Sequence, residues 1–207
     1  MGSACAATLR PWAARVHYAR PVDTPVRLEI IVASVRPERF APVVAEWFLR
    51  VVRARPEFDT GVIDLIDTPL PTDLTETPEA QAYRDRLAAA DAFVAITSEY
   101  NHGYPASLKT AFDTAKREWR AKPIGFVSYG GLSGGLRAVE QLRQVVAEIH
   151  MVSIRETVSI HQAKRQFDAT GTPTDGAAID ASERLLRQLD WWARHLRAAR
   201  AADPYPG

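Results

Sequence analysis

Residues 27–52 read RLEIIVASVRPERFAPVVAEWFLRVV, and this stretch decides the fold. Its first eight residues form a short apolar run rich in β-branched side chains, which is typical of a buried strand. From Pro42 the apolar residues recur at helical spacing, and proline suits the first turn of a helix because its missing N–H has no partner there. The stretch therefore predicts a strand, a polar loop and a helix in succession.

The same alternation of strand and helix continues along the chain. Further strands are predicted at residues 61–66, 91–97 and 123–128 and within 151–160. Further helices are predicted at 79–90, 106–119, 136–149 and 178–201, and a turn-rich linker at 168–176. Short strands that alternate with longer helices build a parallel sheet with helices on both faces. The fold class predicted from the pattern is therefore α/β, a three-layer sandwich.

The composition is that of an ordinary globular domain. A length of 207 residues suits one domain, or one domain with a tail. The net charge of +1 gives no electrostatic reason to expect nucleic acid or a membrane as partner. No stretch reaches the roughly 20 apolar residues that span a bilayer. The single cysteine, Cys5, excludes an intrachain disulfide and fits a cytoplasmic protein.

Residues 1–25 differ in composition from the rest of the chain. They contain three arginines and no acidic residue before Asp23, a pattern that a transit peptide also shows. They lack the continuous apolar core of a secretory signal. We interpret them as a flexible N-terminal extension, followed by a domain at 26–165 and a linker with a terminal helix at 166–207 that packs on the domain or on a partner subunit.

Ligands of an open parallel sheet bind beyond the carboxyl ends of its strands, so the loops there are the candidate sites. The first loop joins a strand to a helix N-terminus, where free N–H groups and the helix dipole favour an anion. Ser34, Arg36 and Arg39 add donors for a phosphate. The alternative is a solvated turn whose arginines pair with Glu38 or Glu46.

The loop at residues 98–105, SEYNHGYP, carries two tyrosines, an asparagine and a histidine at the end of an apolar strand. Binding loops often have this composition, which suits a flat heteroaromatic ligand. The alternative is that Tyr100 and Tyr104 only cover the sheet edge. His102 is of the residue type that most often serves as a general acid or base, but no serine or cysteine nucleophile lies at a recognisable spacing, so we expect no catalytic triad.

The loop at residues 128–135, SYGGLSGG, has four glycines among its last six residues. Glycines allow positive φ and a close approach of the backbone to a ligand. This favours a loop that packs on a flat ring, and the alternative is a flexible lid without contacts. The five histidines show no metal-ligand spacing, so we expect no metal. The Trp191–Trp192 pair is interpreted as a docking or oligomer contact.

Together these segments resemble the NADPH-dependent FMN reductase family of the flavodoxin-like superfold. Residues 31–39, IVASVRPER, resemble its phosphate loop, which usually reads Gly-Ser-x-Arg. Residues 99–109, EYNHGYPASLK, resemble its Pro-Glu-Tyr-Asn…Pro-Gly-x-Leu-Lys segment, and 128–137 its glycine-rich ring-binding loop. The resemblance implies a five-stranded parallel sheet in the order 2-1-3-4-5.

The resemblance also implies the site residues. It assigns the FMN phosphate to Ser34, Arg36 and Arg39. It assigns the isoalloxazine ring and ribityl chain to residues of the two later loops, which are Glu99, Tyr100, Asn101, His102, Ser128, Tyr129, Gly130 and Gly131. Three residues depart from the family pattern, since Ala33 and Ala106 stand where glycine is usual and Ser98 where proline is usual. A methyl at Ala33 would crowd the phosphate loop if that position required positive φ.

The implied function is an NAD(P)H-dependent FMN or quinone reductase, with FMN as cofactor and NADPH or NADH as co-substrate. The acceptor would be a small molecule, such as a quinone, a free flavin, an azo dye or a metal oxyanion. The family usually forms homodimers or homotetramers. Two alternatives remain, an electron carrier and a flavin-binding module without enzymatic activity. A net charge of +1 argues against the carrier, because such proteins are usually strongly acidic.

Overall fold

The computed structural model describes residues 24–207. Residues 1–23, which include Cys5 and nearly all of the predicted N-terminal extension, lie outside the described part of the chain. The strands are β1 (Val26–Val32), β2 (Phe58–Asp64), β3 (Ala92–Ser98), β4 (Pro123–Tyr129) and β5 (Val152–Ile160). The helices are α1 (Ala41–Arg53), α2 (Pro78–Ala89), α3 (Ala106–Asp113), α4 (Leu136–Glu148) and α5 (Gly176–Ala202). Two 3-10 turns lie at Arg117–Trp119 and Ala163–Arg165.

The five strands form one parallel sheet in the order β2-β1-β3-β4-β5. This is the strand order of flavodoxin-like folds and confirms the predicted fold class. The strand ends are aligned, since Val32 at the end of β1 pairs with Asp64 on one side and Ile96 on the other. The loops that follow these strands are therefore gathered along one edge of the sheet.

Successive residues of the central strands face opposite sides of the sheet and enter separate cores. Ile30 and Val32 belong to the core under α1 and α5, whereas Ile31 and Ala33 belong to the core under α2, α3 and α4. Every residue of β3 and of β4 is buried. Continuous burial on both faces explains why these strands read as unbroken apolar runs rather than as alternating ones.

Helix α5 packs on its own sheet, mainly against β5 and β4. Its inward side chains Leu185, Leu186 and Leu189 are fully buried in the same core as α1. The close approach depends on Gly125 in β4, because a β-carbon there would lie 3.2 Å from Cδ2 of Leu185. Helix α5 therefore forms, together with α1, the helical layer on this face of the sheet.

Helix α3 is shorter than the sequence predicted, ending at Asp113 rather than at residue 119. Two carbonyl groups of its last turn accept hydrogen bonds from side chains instead of from a further turn of helix. The Tyr83 hydroxyl donates to the Ala111 carbonyl at 3.1 Å, and the Trp119 indole N–H donates to the Phe112 carbonyl at 3.1 Å. A 3-10 turn at Arg117–Trp119 then brings that indole back under the helix.

Strand β2 also differs from its expected bounds of 61–66. It begins at Phe58 and ends at Asp64, because it pairs residue by residue with β1 from Val26 to Val32. The polar residues Asp59 and Thr60 interrupt the apolar pattern of the sequence. The first half of the strand therefore forms because it pairs with β1, and its own composition does not predict it.

The contact at Gly125 gives a test of how closely α5 packs. We expect Gly125→Val to lower the free energy of unfolding by about 1–3 kcal/mol, because overpacking displaces Leu185 and Ile154. Urea denaturation measures this loss. The control is Gly176→Ala in the first turn of α5, where a β-carbon meets no atom within 4 Å and alanine should be neutral or stabilising. Equal stability of G125V and the unaltered protein would contradict the packing.

Candidate functional site

The loops after β1, β3 and β4 meet at the carboxyl edge of the sheet and enclose a cleft of about 490 Å³. Besides these loops, the cleft is bounded by the segment that follows β5. Its lining residues are Arg36, Phe40, Glu99, Tyr100, Tyr129, Gly130, Gly131, Gln162, Ala163, Lys164 and Arg165. Six of the eleven predicted site residues therefore lie in its wall, and the remaining five, Ser34, Arg39, Asn101, His102 and Ser128, lie around it.

The first loop runs from the end of β1 to the N-terminus of α1. Ser34 is buried, and its Oγ lies 2.7 Å from the Tyr100 hydroxyl, which joins this loop to the one after β3. Among the described residues, the backbone N–H groups of 35, 36 and 38 donate to no acceptor, and α1 has no side-chain cap. Free donors at a helix N-terminus are the arrangement that binds a phosphate.

The two arginines of this loop have different surroundings. Arg39 donates to both carboxylate oxygens of Asp64 at 2.6 Å and to the Ser34 carbonyl at 2.7 Å. The hydrogen bond to Asp64 raises the pKa of Arg39 above its usual value. Its guanidinium therefore ties the loop to the end of β2, and its partner is neither Glu38 nor Glu46. Arg36 is exposed, lies 5.4 Å from the centre of the Tyr100 ring and forms no ion pair with a described residue.

The loop after β3 makes a tight turn at its tip. Tyr100 and Gly103 exchange two backbone hydrogen bonds of 2.9 and 3.0 Å. Between them Asn101 and His102 both have positive φ, 50° and 72°. Two successive positive φ values define a type I′ turn, which is costly for residues other than glycine. The turn holds both residues exposed at the rim of the cleft.

Below this turn Glu99 is almost fully buried, with its side chain 5% exposed. One carboxylate oxygen accepts from Arg137 Nε at 2.6 Å and Nη2 at 2.5 Å, and the other accepts from Ser133 Oγ at 2.6 Å. Burial by itself raises the pKa of Glu99, but the hydrogen bonds from Ser133 and Arg137 outweigh it and hold that pKa below its usual range. Glu99 is therefore an ionised acceptor with a hydrogen-bond donor on each carboxylate oxygen.

Arg137 also links this carboxylate to the turn above it. Its Nη1 lies 2.7 Å from His102 Nε2, and Gln141 Nε2 donates to the His102 carbonyl at 3.0 Å. Arg137 and Gln141 come from the first turns of α4. Neither residue, nor Ser133, was among the predicted site residues, because the residues themselves give no signal that they contact a loop more than 30 positions earlier.

The glycine loop after β4 is held in place by contacts below it. Gly134 and Gly135 have φ of 60° and 87°, and a β-carbon on Gly135 would lie 2.6 Å from the Ser128 β-carbon. Ser128 is buried and donates to the Gly134 carbonyl at 2.8 Å, so its hydroxyl supports the loop from inside. Gly131 is different, since a β-carbon there would meet no atom within 4 Å. Gly130 and Gly131 both line the cleft, but the Gly130 N–H donates to the Ile160 carbonyl at 3.1 Å, whereas the Gly131 N–H donates to no described residue.

The apolar part of the wall is aromatic. Tyr129 is 6% exposed, and its burial raises its pKa to about 12, so its hydroxyl stays protonated at neutral pH. Phe40 lies beside it, with ring centres 6.2 Å apart. The residues after β5 complete the wall, and Gln162 adopts a left-handed φ of 48° there. Phe40 and residues 162–165 were not predicted, because no motif marks the segment after β5.

The three departures from the family pattern have different consequences. Ala33 is not among the described residues with positive φ, so its methyl group needs no glycine at that position. Its carbonyl accepts from Ser107 Oγ at 2.5 Å, which ties the loop to α3. Ser98 is buried at the end of β3, and its Oγ has no hydrogen-bond partner among the described residues. Ala106 begins α3 and is exposed.

Residues 24–207 contain neither a candidate metal site nor a candidate membrane-spanning helix. No group of three or more His, Cys, Asp or Glu side chains in this range is placed to hold a metal ion. None of the helices in it is both long and apolar enough to cross a membrane. Trp191 of the tryptophan pair is half-exposed on α5 and stacks on His195 with ring centres 4.2 Å apart, outside the cleft.

Comparison with known proteins agrees with this geometry. The model of the family described as NADPH-dependent FMN reductase matches residues 26–165. An NAD(P)H-dependent FMN reductase of Schizosaccharomyces pombe is 35% identical over 136 residues, covering 60% of this chain and 68% of the relative. An NADPH:quinone oxidoreductase of Arabidopsis thaliana is 32% identical over 145 residues, covering 67% and 74%. The fold of the flavoenzyme NAD(P)H:(acceptor) oxidoreductase FerB from Paracoccus denitrificans superposes with a TM-score of 0.67 at 24% identity, covering 82% of this chain and 98% of that one.

The pair between the buried Glu99 carboxylate and the half-exposed Arg137 guanidinium makes stability depend on pH in a defined direction. Because the pKa of Glu99 is lowered in the folded state, its stabilisation is present above the ordinary glutamate pKa and is lost as the pH falls through the lowered value. Arg137→Gln should therefore lower the free energy of unfolding by about 1–3 kcal/mol at neutral pH and by less in acid. Urea denaturation at both pH values measures the difference.

The control for this prediction is Arg155→Gln, which removes an arginine whose side chain is 87% exposed and pairs with Glu156. We expect a change below about 0.5 kcal/mol at either pH. A loss of stability in R137Q that is equal at neutral and acid pH would contradict the role assigned to Glu99.

Proposed function

We propose that this chain, which belongs to the NADPH-dependent FMN reductase family, binds FMN in the cleft at the carboxyl edge of its sheet and reduces a small-molecule acceptor. NADPH or NADH is the donor, and the acceptor is a quinone, a flavin, an azo compound or a similar molecule. The observation that carries the proposal is the meeting of the three loops around one cleft, within the residues that the family model matches. Residues 26–165 then supply the FMN-binding loops, and α5 completes the layer behind them.

The phosphate end of FMN fits the loop after β1. The free N–H groups of residues 35, 36 and 38 lie in the loop that leads into the uncapped N-terminus of α1, where the helix dipole attracts an anion. Arg36 is the arginine available there, because it forms no ion pair with a described residue, whereas Asp64 occupies Arg39. We therefore assign Arg36 and the Ser34 hydroxyl to the phosphate, and Arg39 to the positioning of the loop.

The ring end of FMN fits between the loops after β3 and β4. Gly131 has open space where a side chain would be, so its backbone can approach a flat ring. The type I′ turn presents the backbone of Asn101 and His102, and the Glu99–Arg137 pair holds that turn in place. Ser128 supports the glycine loop from below and is assigned no direct contact.

When bound, FMN supplies the hydride chemistry, and the chain supplies placement and electrostatics. Glu99 cannot act as a proton donor at neutral pH, since its carboxylate is ionised and accepts hydrogen bonds from Ser133 and Arg137. Tyr129 keeps its proton and presents a neutral wall. These residues therefore exclude water and hold the loops, which agrees with the absence of a recognisable triad in the sequence. An electron carrier is not favoured, because the chain lacks the strongly acidic charge that steers such proteins.

We also propose that the protein works in the cytoplasm as a homodimer or homotetramer. The use of one cysteine in 207 residues supports a reducing compartment. Leu132 and Leu136 support a contact between subunits near the cleft, because they are 84% and 47% exposed at the tip of the glycine loop and the start of α4. Light scattering by the purified protein tests the assembly, and a monomeric mass would contradict it.

The experiment that tests the function is a steady-state assay with purified protein, FMN, NADPH and a quinone. We expect oxidation of NADPH that depends on FMN, lost when the flavin is removed and restored when it is added back. Protein without flavin is the control. No oxidation of NADPH or NADH by the flavin-loaded protein would contradict the proposed activity.

The division of roles between the two arginines gives a second test. Arg36→Gln should weaken FMN binding by about 10- to 100-fold and leave the stability of the flavin-free protein within about 0.5 kcal/mol. Arg39→Gln should instead lower the free energy of unfolding by about 1–2 kcal/mol, because Asp64 loses a two-point partner. Titration with FMN and urea denaturation measure the two quantities. Unchanged FMN affinity in R36Q would contradict the assignment of the phosphate.

A further inference from the structure

The side chains that line the cleft carry more positive charge than the carboxylates near them neutralise. Arg36, Lys164 and Arg165 all line it, and none of the three forms an ion pair or a side-chain hydrogen bond with a described residue. The carboxylate in the wall, Glu99, is already occupied by Arg137 and Ser133. Three unpaired cations around one cleft favour a ligand with more than one phosphate group.

One phosphate does not account for all three cations. The FMN phosphate is served by Arg36 and by the free N–H groups of the loop between β1 and α1. Lys164 and Arg165 instead follow β5, on the 3-10 turn Ala163–Arg165. We propose that Lys164 and Arg165 bind the 2′-phosphate of NADPH and thereby make the protein prefer NADPH to NADH. This inference rests on the proposed function and names the donor of that same site.

The turn that carries these two cations is anchored to the glycine loop. The N–H of Gln162 donates to the Gly131 carbonyl at 2.8 Å, and the N–H of Ala163 donates to the Gly130 carbonyl at 3.0 Å. Ala163 is buried, so the turn has a fixed base. The proposed phosphate subsite and the backbone assigned to the flavin ring therefore belong to one hydrogen-bonded frame.

The position and the charge both fit the 2′-phosphate. The nicotinamide must lie at the flavin ring, so the adenosine end of the dinucleotide extends outward, and both Lys164 and Arg165 are exposed at the rim. A phosphate monoester carries close to two negative charges at neutral pH, which matches two adjacent cations. NADH has the same pyrophosphate but lacks this group. A subsite for the 2′-phosphate thus separates the two donors, whereas contacts to the pyrophosphate would serve both equally.

The test compares the two donors in the flavin-loaded protein at a saturating quinone concentration. The unaltered protein should have the higher kcat/KM with NADPH. In the double variant K164Q/R165Q, the ratio of kcat/KM for NADPH to that for NADH should fall by about 10-fold or more. Adenosine 2′,5′-bisphosphate should inhibit the unaltered protein more strongly than AMP, and this difference should disappear in the variant.

The matched control is R53Q/R187Q, which removes two exposed arginines of α1 and α5 that lie outside the cleft and form no ion pair with a described residue. Its ratio of kcat/KM for NADPH to that for NADH should stay within about twofold of the ratio for the unaltered protein, because both charges lie away from the cleft. Titration with FMN is the second readout. We expect K164Q/R165Q to bind FMN within about threefold of the unaltered affinity, which is the residual long-range effect of two exposed charges.

Three results would overturn the inference. The first is that K164Q/R165Q leaves the ratio of kcat/KM for NADPH to that for NADH unchanged, as it would if kcat/KM fell equally with both donors. The second is that the unaltered protein shows no preference for NADPH. A large loss of FMN affinity with an unchanged ratio would show that the two cations serve the FMN phosphate instead. Failure of the unaltered, flavin-loaded protein to oxidise either donor would overturn the proposed function as well, so the two failures are distinguishable.

Discussion

The complete burial of β3 and β4 is the constraint on which the rest of the structure depends. Strands buried on both faces need a helical layer on each side, and parallel neighbours need crossover connections. The chain meets both needs with α1 and α5 on one face and α2, α3 and α4 on the other. The crossovers leave the loops that follow the strands at one edge of the sheet, and the cleft forms where those loops meet.

Arginine–carboxylate pairs then hold the loops in position. Arg39 ties the loop after β1 to Asp64 at the end of β2, and Arg137 ties the loop after β3 to the start of α4. In each pair the arginine forms two hydrogen bonds to one carboxylate. The Arg137 pair lies beside the strained backbone of Asn101 and His102, and the Arg39 pair lies beside a loop without regular backbone pairing. The same pairing distinguishes supporting cations from the free ones, Arg36, Lys164 and Arg165, that remain available to a ligand.

The predictions from the sequence succeeded where local pattern and strand partner agree. The apolar run that ends at Ser34 predicted β1, and the helical spacing after Pro42 predicted α1. Both elements lie where the sequence placed them, to within two residues at their starts and ends. They were wrong where distant groups decide. Helix α3 ends early because Tyr83 and Trp119 bond to its carbonyl groups, and β2 starts early because β1 pairs with it. Periodicity along a chain carries no information about such partners.

The sequence by itself determined the α/β class, the order of the elements and the three loops that surround the cleft. These follow from the local hydrophobic pattern and from the rule that ligands bind beyond the carboxyl ends of parallel strands. Only the tertiary structure decided which arginine is free. Asp64 lies 25 residues from Arg39, and Glu99 lies 38 residues from Arg137. It also brought residues 162–165 into the cleft wall. Ion pairs between distant residues depend on how the strands are arranged in the sheet, and that arrangement exists only after the chain has folded.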